Sequence, residues 1–146
     1  MENGKRYDNR LGIIGWLAGG RWGIERYLYV VHRITGVGLL LFFMIHIFES
    51  SLRAFGPDTW NAAMNTLKHP LFEIGEILVF CGFAFHALNG FRLVLVELGL
   101  AVGKAEEPIY PYRSSLNTQR PLMVMTMILC VLLIIAGGYD FFFLSH

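Results

Sequence analysis

Charged residues are distributed along this chain so that three long apolar blocks stand between them. The blocks run from about Tyr29 to Phe48, from about Leu71 to Val96 and from about Pro121 to Leu144. Each is long enough for a helix to cross a bilayer, which takes roughly 20 apolar residues. Between them lie two polar stretches containing Pro and Gly, "ESSLRAFGPDTWNAAMNTLKHP" and "ELGLAVGKAEEPIYPYRSSLNTQRP", which read as loops, the first with room for a short surface helix. The pattern predicts an all-α integral membrane protein with an N-terminal arm, residues 1–28, and a three-helix transmembrane domain, residues 29–146. The arm, "MENGKRYDNRLGIIGWLAGGRWGIERY", has a short, Gly-broken apolar part followed by more charge. It reads as an interfacial segment carrying Trp16 and Trp22, not as a cleaved signal peptide.

Composition agrees: 55% of the residues are hydrophobic, 16% are charged, and the mean hydropathy is +0.51. That is too apolar for an ordinary soluble domain. A net charge of +1 supplies no large positive field for nucleic acid. The two cysteines, Cys81 and Cys130, lie inside apolar blocks, where they read as small packing or lipid-facing residues and not as a disulfide or a thiolate metal site. Charge also predicts orientation. Ten of the 12 lysines and arginines precede or open the first block or flank the second loop, against only Arg53 and Lys68 in the first loop. By the positive-inside rule the N-terminus faces the cytoplasm and the C-terminus faces out.

The second block, "LFEIGEILVFCGFAFHALNGFRLVLVELG", carries the most information. Gly82, His86 and Gly90 recur every four residues and share a helix face, with Asn89 nearby on almost the same side. An imidazole with no side chain above or below it has flat space beside it, enough to seat a planar macrocycle with His86 as an axial ligand to iron. The same glycines would equally let a second helix approach, with His86 hydrogen-bonded across that contact. Spacing alone does not separate the two readings.

Depth arithmetic adds an expectation. His86 lies six residues from Arg92, roughly 9 Å, and His46 thirteen residues from Arg33, roughly 20 Å. If both arginines mark one interface, the two histidines differ in depth by about 10 Å, and no other histidine matches His86. A bis-histidine iron site then needs its second ligand from another chain. His32, Arg33 and Arg92 are expected about two turns to the cytoplasmic side of His86, within reach of haem propionates or a quinone head group. Arginine suits either ligand because it offers several charged donors in a fixed fork, although snorkelling to lipid phosphate is the usual fate of such residues.

No substrate chemistry is visible in the chain: there is no Ser–His–acid order, Cys-x-x-Cys, phosphate loop or dinucleotide fingerprint. Glu73 and Glu76, near the outer end of the second span, could form a proton path, but the dipole favours acids at a helix start and they need no function there.

The string "HRITG" opening the first span, followed by "FHALNGFRLVLVELG" in the second, resembles the cytochrome b subunit of succinate dehydrogenase, the membrane anchor of respiratory complex II. Both motifs occur in the family's order, and the three-span layout covers most of the chain. The resemblance implies that His86 is an axial ligand of haem b and thus its iron-binding residue. It places Arg33 near quinone and a propionate, with His32 in the same neighbourhood. Several members have a serine four residues before the arginine that binds quinone; here Tyr29 stands there, with a phenol that can donate to a quinone carbonyl but a larger size. Some related anchors bind two haems at different depths, with a first-span histidine serving the outer one, which is the role His46 would take. Glu49, one turn away, is the competing partner for His46.

The function this implies is an electron-transfer anchor in the cytoplasmic (inner) membrane, passing electrons from succinate to quinone. One haem b, or two, would be shared with a second small anchor, and a flavoprotein and an iron–sulfur protein would carry the substrate chemistry. The alternatives are the same architecture acting as quinol:fumarate reductase, and a cofactor-free assembly protein whose histidines only pack.

Overall fold

The computed structural model describes residues 23–104, 110 and 115–144. The arm with Trp16 and Trp22, the loop residue Arg113 and the terminal His146 lie outside the described residues. Helix α1 spans Ile24–Ser51 and runs on into a single 3₁₀ turn, Leu52–Phe55. The short α2, Pro57–Leu67, follows, then α3, Pro70–Glu97, and α4, Leu116–Tyr139, which widens into a π turn, Asp140–Leu144. Among the described residues there is no strand, and three helical stretches are long and apolar enough to cross a membrane. The chain is an all-α, multi-pass membrane protein.

The helices outrun the apolar blocks. α1 and α4 each begin about five residues before their block, at Ile24 and Leu116, so residues 24–28 of the expected arm are helical. Hydropathy marks the part of a helix that lies in hydrocarbon, whereas backbone hydrogen bonding continues into the interface. Glu25, in the first turn of α1, is favoured there by the positive end of the helix dipole. Pro121 stands inside α4, where its missing N–H leaves the Asn117 carbonyl without an intrahelical donor.

The first loop folds as its residues dictate. Gly56, with φ of +100°, turns the chain out of the 3₁₀ turn, and Pro57 opens α2 at the position where a missing N–H costs nothing. His69 caps α3: its Nδ1 accepts from the Leu71 backbone N–H at 3.2 Å, with Pro70 next in line. That accounts for one histidine without any ligand.

α3 is the central helix and packs against α1 on one side and α4 on the other. The buried apolar set is small, comprising Val30, Leu39, Ala84, Met123 and Cys130. Residues such as Leu40, Ile47, Phe83 and Leu132 face outward, as suits helices whose surroundings are as apolar as their interior. Small residues set the close contacts. The Phe80 ring of α3 lies on Gly137 of α4, in the space a side chain would take. At the start of both helices the Arg120 Nε donates to Glu25 Oε1 at 3.0 Å and ties α4 to α1.

Candidate functional site

α1 and α3 run antiparallel and meet closely around His86. A Cβ on Gly36 would stand 2.9 Å from His86 Cε1, and a Cβ on Gly90 would stand 3.3 Å from His32 Cε1. Gly82 faces the Thr35 methyl, 3.7 Å from where its own Cβ would be. The flat space predicted beside His86 is therefore filled by α1. Of the two readings of the glycine face, helix approach is what these glycines do here.

This contact corrects the depth estimate. The His32 and His86 rings stack, with centroids 3.9 Å apart and planes within 5°, so His32 is level with His86 and not two turns toward the interface. Arg33, its chain neighbour, shares that level. Arg33 and Arg92 do not mark one interface, because α1 and α3 are offset so that Arg33 sits opposite the region of His86. His46, 14 residues beyond His32 on α1, lies roughly 20 Å from that level, about twice the expected separation. It is exposed, and its Nδ1 lies 3.5 Å from Glu49 Oε2, the local partner foreseen for it.

The hydrogen bonds at His86 fix its tautomer. Nδ1 lies 3.0 Å from the His32 carbonyl, which can only accept, so Nδ1 carries the ring proton. The Thr35 hydroxyl lies 3.2 Å from the same nitrogen. Its own proton has the Val31 and His32 carbonyls at 2.9 and 3.0 Å. Nε2 thus holds a lone pair and has no hydrogen-bond partner among the described residues. A histidine that donates one N–H to a carbonyl and offers the other nitrogen is in the form that binds metal.

A polar cluster continues from this pair into the bundle. Asn89 is 0% exposed, and its Oδ1 accepts from Arg92 Nε at 3.1 Å, which leaves the amide Nδ2 buried without a partner. His32 Nδ1 is likewise buried and unpartnered. Arg92 is only 7% exposed, so it points into the bundle and is not a snorkelling residue. A guanidinium, an orphaned amide N–H and an imidazole nitrogen form a donor-rich set that fits a carboxylate. With the Nε2 lone pair of His86 beside them, these residues fit a haem, whose iron needs an axial nitrogen and whose propionates need cations or donors. Among the described residues no three His, Cys, Asp or Glu side chains converge on a metal position.

Tyr29 and Arg33 lie on a different face of α1. Both are exposed, Arg33 Nη1 donates to Tyr29 Oη at 2.9 Å, and the guanidinium carbons of Arg33 and Arg26 stand 5.3 and 5.4 Å from the centre of the Tyr29 ring. The structure thus brings His32, His86 and the Asn89–Arg92 pair to one place and Tyr29 with Arg33 to another, on the outside of α1. Thr35 and Asn89 had no assigned role in the sequence reading. Their signal was polarity inside apolar blocks, three residues from His32 and from His86.

Comparison with known proteins follows the same lines. Residues 16–136 match the model of the family described as succinate dehydrogenase/fumarate reductase transmembrane subunit. The chain is 33% identical over 69 residues to the succinate dehydrogenase 2 membrane subunit SdhC of Mycobacterium tuberculosis, covering 47% of this chain and 51% of that protein. It is 30% identical over 98 residues to the succinate dehydrogenase hydrophobic membrane anchor subunit of Halobacterium salinarum, covering 62% of this chain and 73% of that one. The match thus spans about half the length of the mycobacterial relative.

Proposed function

This chain belongs to the succinate dehydrogenase/fumarate reductase transmembrane subunit family, and on that premise we propose that it is the cytochrome b anchor of a succinate:quinone oxidoreductase. The observation that carries this reading is the contact of His86 Nδ1 with the His32 carbonyl at 3.0 Å, which places the ring proton on Nδ1 and leaves Nε2 with a lone pair. Haem b bound there supplies an iron that takes and gives single electrons. His86 Nε2 would hold that iron, and Arg92, Asn89 and His32 would supply the polar groups for a propionate. Arg33 and Tyr29 serve the quinone: the guanidinium donates to a carbonyl oxygen, and Tyr29 Oη, which accepts from Arg33, keeps its own proton to donate.

A second nitrogen for the iron would have to come from another chain, a second small anchor. His32 is close enough to His86, but the two rings are parallel and stacked. Their lone pairs lie in the ring planes and do not converge on one point between them. Succinate oxidation belongs to a flavoprotein and an iron–sulfur protein docked on the side where α1 and α4 begin, which the lysine and arginine bias assigns to the cytoplasm. The same residues would serve quinol:fumarate reduction, since the direction of flow is set by the quinone potential and the peripheral subunits. His46, with Glu49 as its partner, is the residue available to a second haem.

The test is the reduced-minus-oxidised absorption spectrum of the purified complex with His86→Ala. Loss of the b-type bands, or sharply weakened haem retention, is expected because the iron would lose the nitrogen that His86 supplies. An unchanged spectrum and midpoint potential would mean that His86 only packs, as in a cofactor-free anchor.

A further inference from the structure

We propose that Thr35 is a positioning residue for His86, setting with Gly36 the rotation of the ring and the electron density at Nε2. The inference rests on reading His86 as the haem ligand. A threonine in a membrane helix commonly turns its hydroxyl back onto the preceding turn, and Thr35 does so, with the Val31 and His32 carbonyls at 2.9 and 3.0 Å. That habit explains where the hydroxyl proton goes. It does not explain why Oγ1 also stands 3.2 Å from His86 Nδ1 on another helix.

The two facts together make a device. Because its proton is committed to α1, Oγ1 can meet Nδ1 only as an acceptor, so the ring proton is shared between Oγ1 and the His32 carbonyl. The threonine is itself held in place. Its methyl lies over Gly82, 3.7 Å from where a Cβ would stand, which is an ordinary contact distance. Gly36 completes the seat, since a Cβ there would come within 2.9 Å of His86 Cε1 and push the ring off both acceptors. Thr35 and Gly36 thus form a template on which the ring has one orientation. Two acceptors on Nδ1–H make the imidazole a stronger donor through Nε2, which favours the oxidised iron.

The test uses the assembled complex and reads the haem midpoint potential and the low-spin electron paramagnetic resonance signal, neither of which depends on turnover. Thr35→Val keeps the shape and removes the acceptor. It should raise the potential by less than a tenfold change in the reduction equilibrium, that is by less than about 59 mV for one electron. Thr35→Ser, which restores an acceptor, should return the potential to that of the parent. Gly36→Ala should shift or broaden the low-spin signal by displacing the ring. Should the valine variant fail to assemble, Thr35→Ala removes the same acceptor without steric demand and is read in the same way. If haem is lost in His86→Ala while the Thr35 variants keep the parent potential and signal, Thr35 has no positioning role and the ligand assignment stands. Haem retained unchanged in His86→Ala overturns the assignment and the positioning role together.

Discussion

Arg33 and His32 are neighbours in sequence and point to different places, so their substitutions should have different consequences. His32 stacks on His86 inside the α1–α3 contact, whereas Arg33 is exposed and clasps Tyr29. If that outer pair binds quinone, Arg33→Leu should lower electron transfer to quinone far more than succinate oxidation by a soluble dye. The dye draws electrons from the peripheral subunits without crossing this site. Equal activities in a normally assembled complex would make Arg33 an interfacial residue and move the quinone site elsewhere. Tyr29→Phe should give a smaller loss of the same kind. It removes one neutral hydrogen-bonding group, worth about 0.5–1.5 kcal/mol, and leaves the ring between Arg26 and Arg33.

Glycines decide how closely the helices approach, and adjacent glycines in α4 separate this role from simple helix composition. A Cβ on Gly137 would run into the Phe80 ring of α3, while one on Gly138 meets nothing within 4 Å. Gly137→Ala should therefore force α3 and α4 apart at an overpacking cost of about 1–3 kcal/mol. Gly138→Ala should leave the bundle unchanged. Thermal denaturation of the detergent-solubilised complex checks the contrast, and equal midpoints for the two variants would remove the Phe80–Gly137 contact as a stability determinant. The same comparison applies in α1, where Gly36 abuts His86 and Gly38 faces open space. The short α2 is governed differently. Its Trp60 ring, with the Arg53 guanidinium 4.6 Å from its centre, suits an amphipathic helix lying at a membrane surface.

For the molecule as a whole, three spans buried against one another over only 6–17% of their most apolar windows leave most of their surface for lipid and partner chains. The interior holds a charged residue, Arg92, and an amide, Asn89, whose Nδ2 is unsatisfied. Buried polar groups without partners are costly, and inside a membrane bundle they mark a candidate functional site. The chain expressed alone should accordingly bind haem poorly. His32 matches His86 in depth, but the two rings lie in parallel planes, so their lone pairs cannot meet on one iron between them. Stoichiometric low-spin bis-histidine haem in the isolated subunit, seen by absorption and paramagnetic resonance, would show that the stacked pair opens to hold iron after all.

The number of spans, the surface helix in the first loop and the shared face of Gly82, His86 and Gly90 were all legible in the sequence. They depend on local properties: a run of apolar residues long enough for the bilayer, a Pro after a Gly, and the fourfold spacing that aligns side chains on one helix. The partners across that face were not legible. Hydropathy is nearly uniform along a membrane helix, so it carries no signal for the sliding register of two antiparallel helices, and a slip of one turn, about 5.4 Å, exchanges every contact. Only the packed structure decided that Thr35, Gly36 and the His32 carbonyl meet His86, that Tyr29 and Arg33 look outward, and that Arg92 turns inward to Asn89. Close approach at Gly36 and Gly90 sets that register, because a side chain at either would take the space that α1 and α3 share.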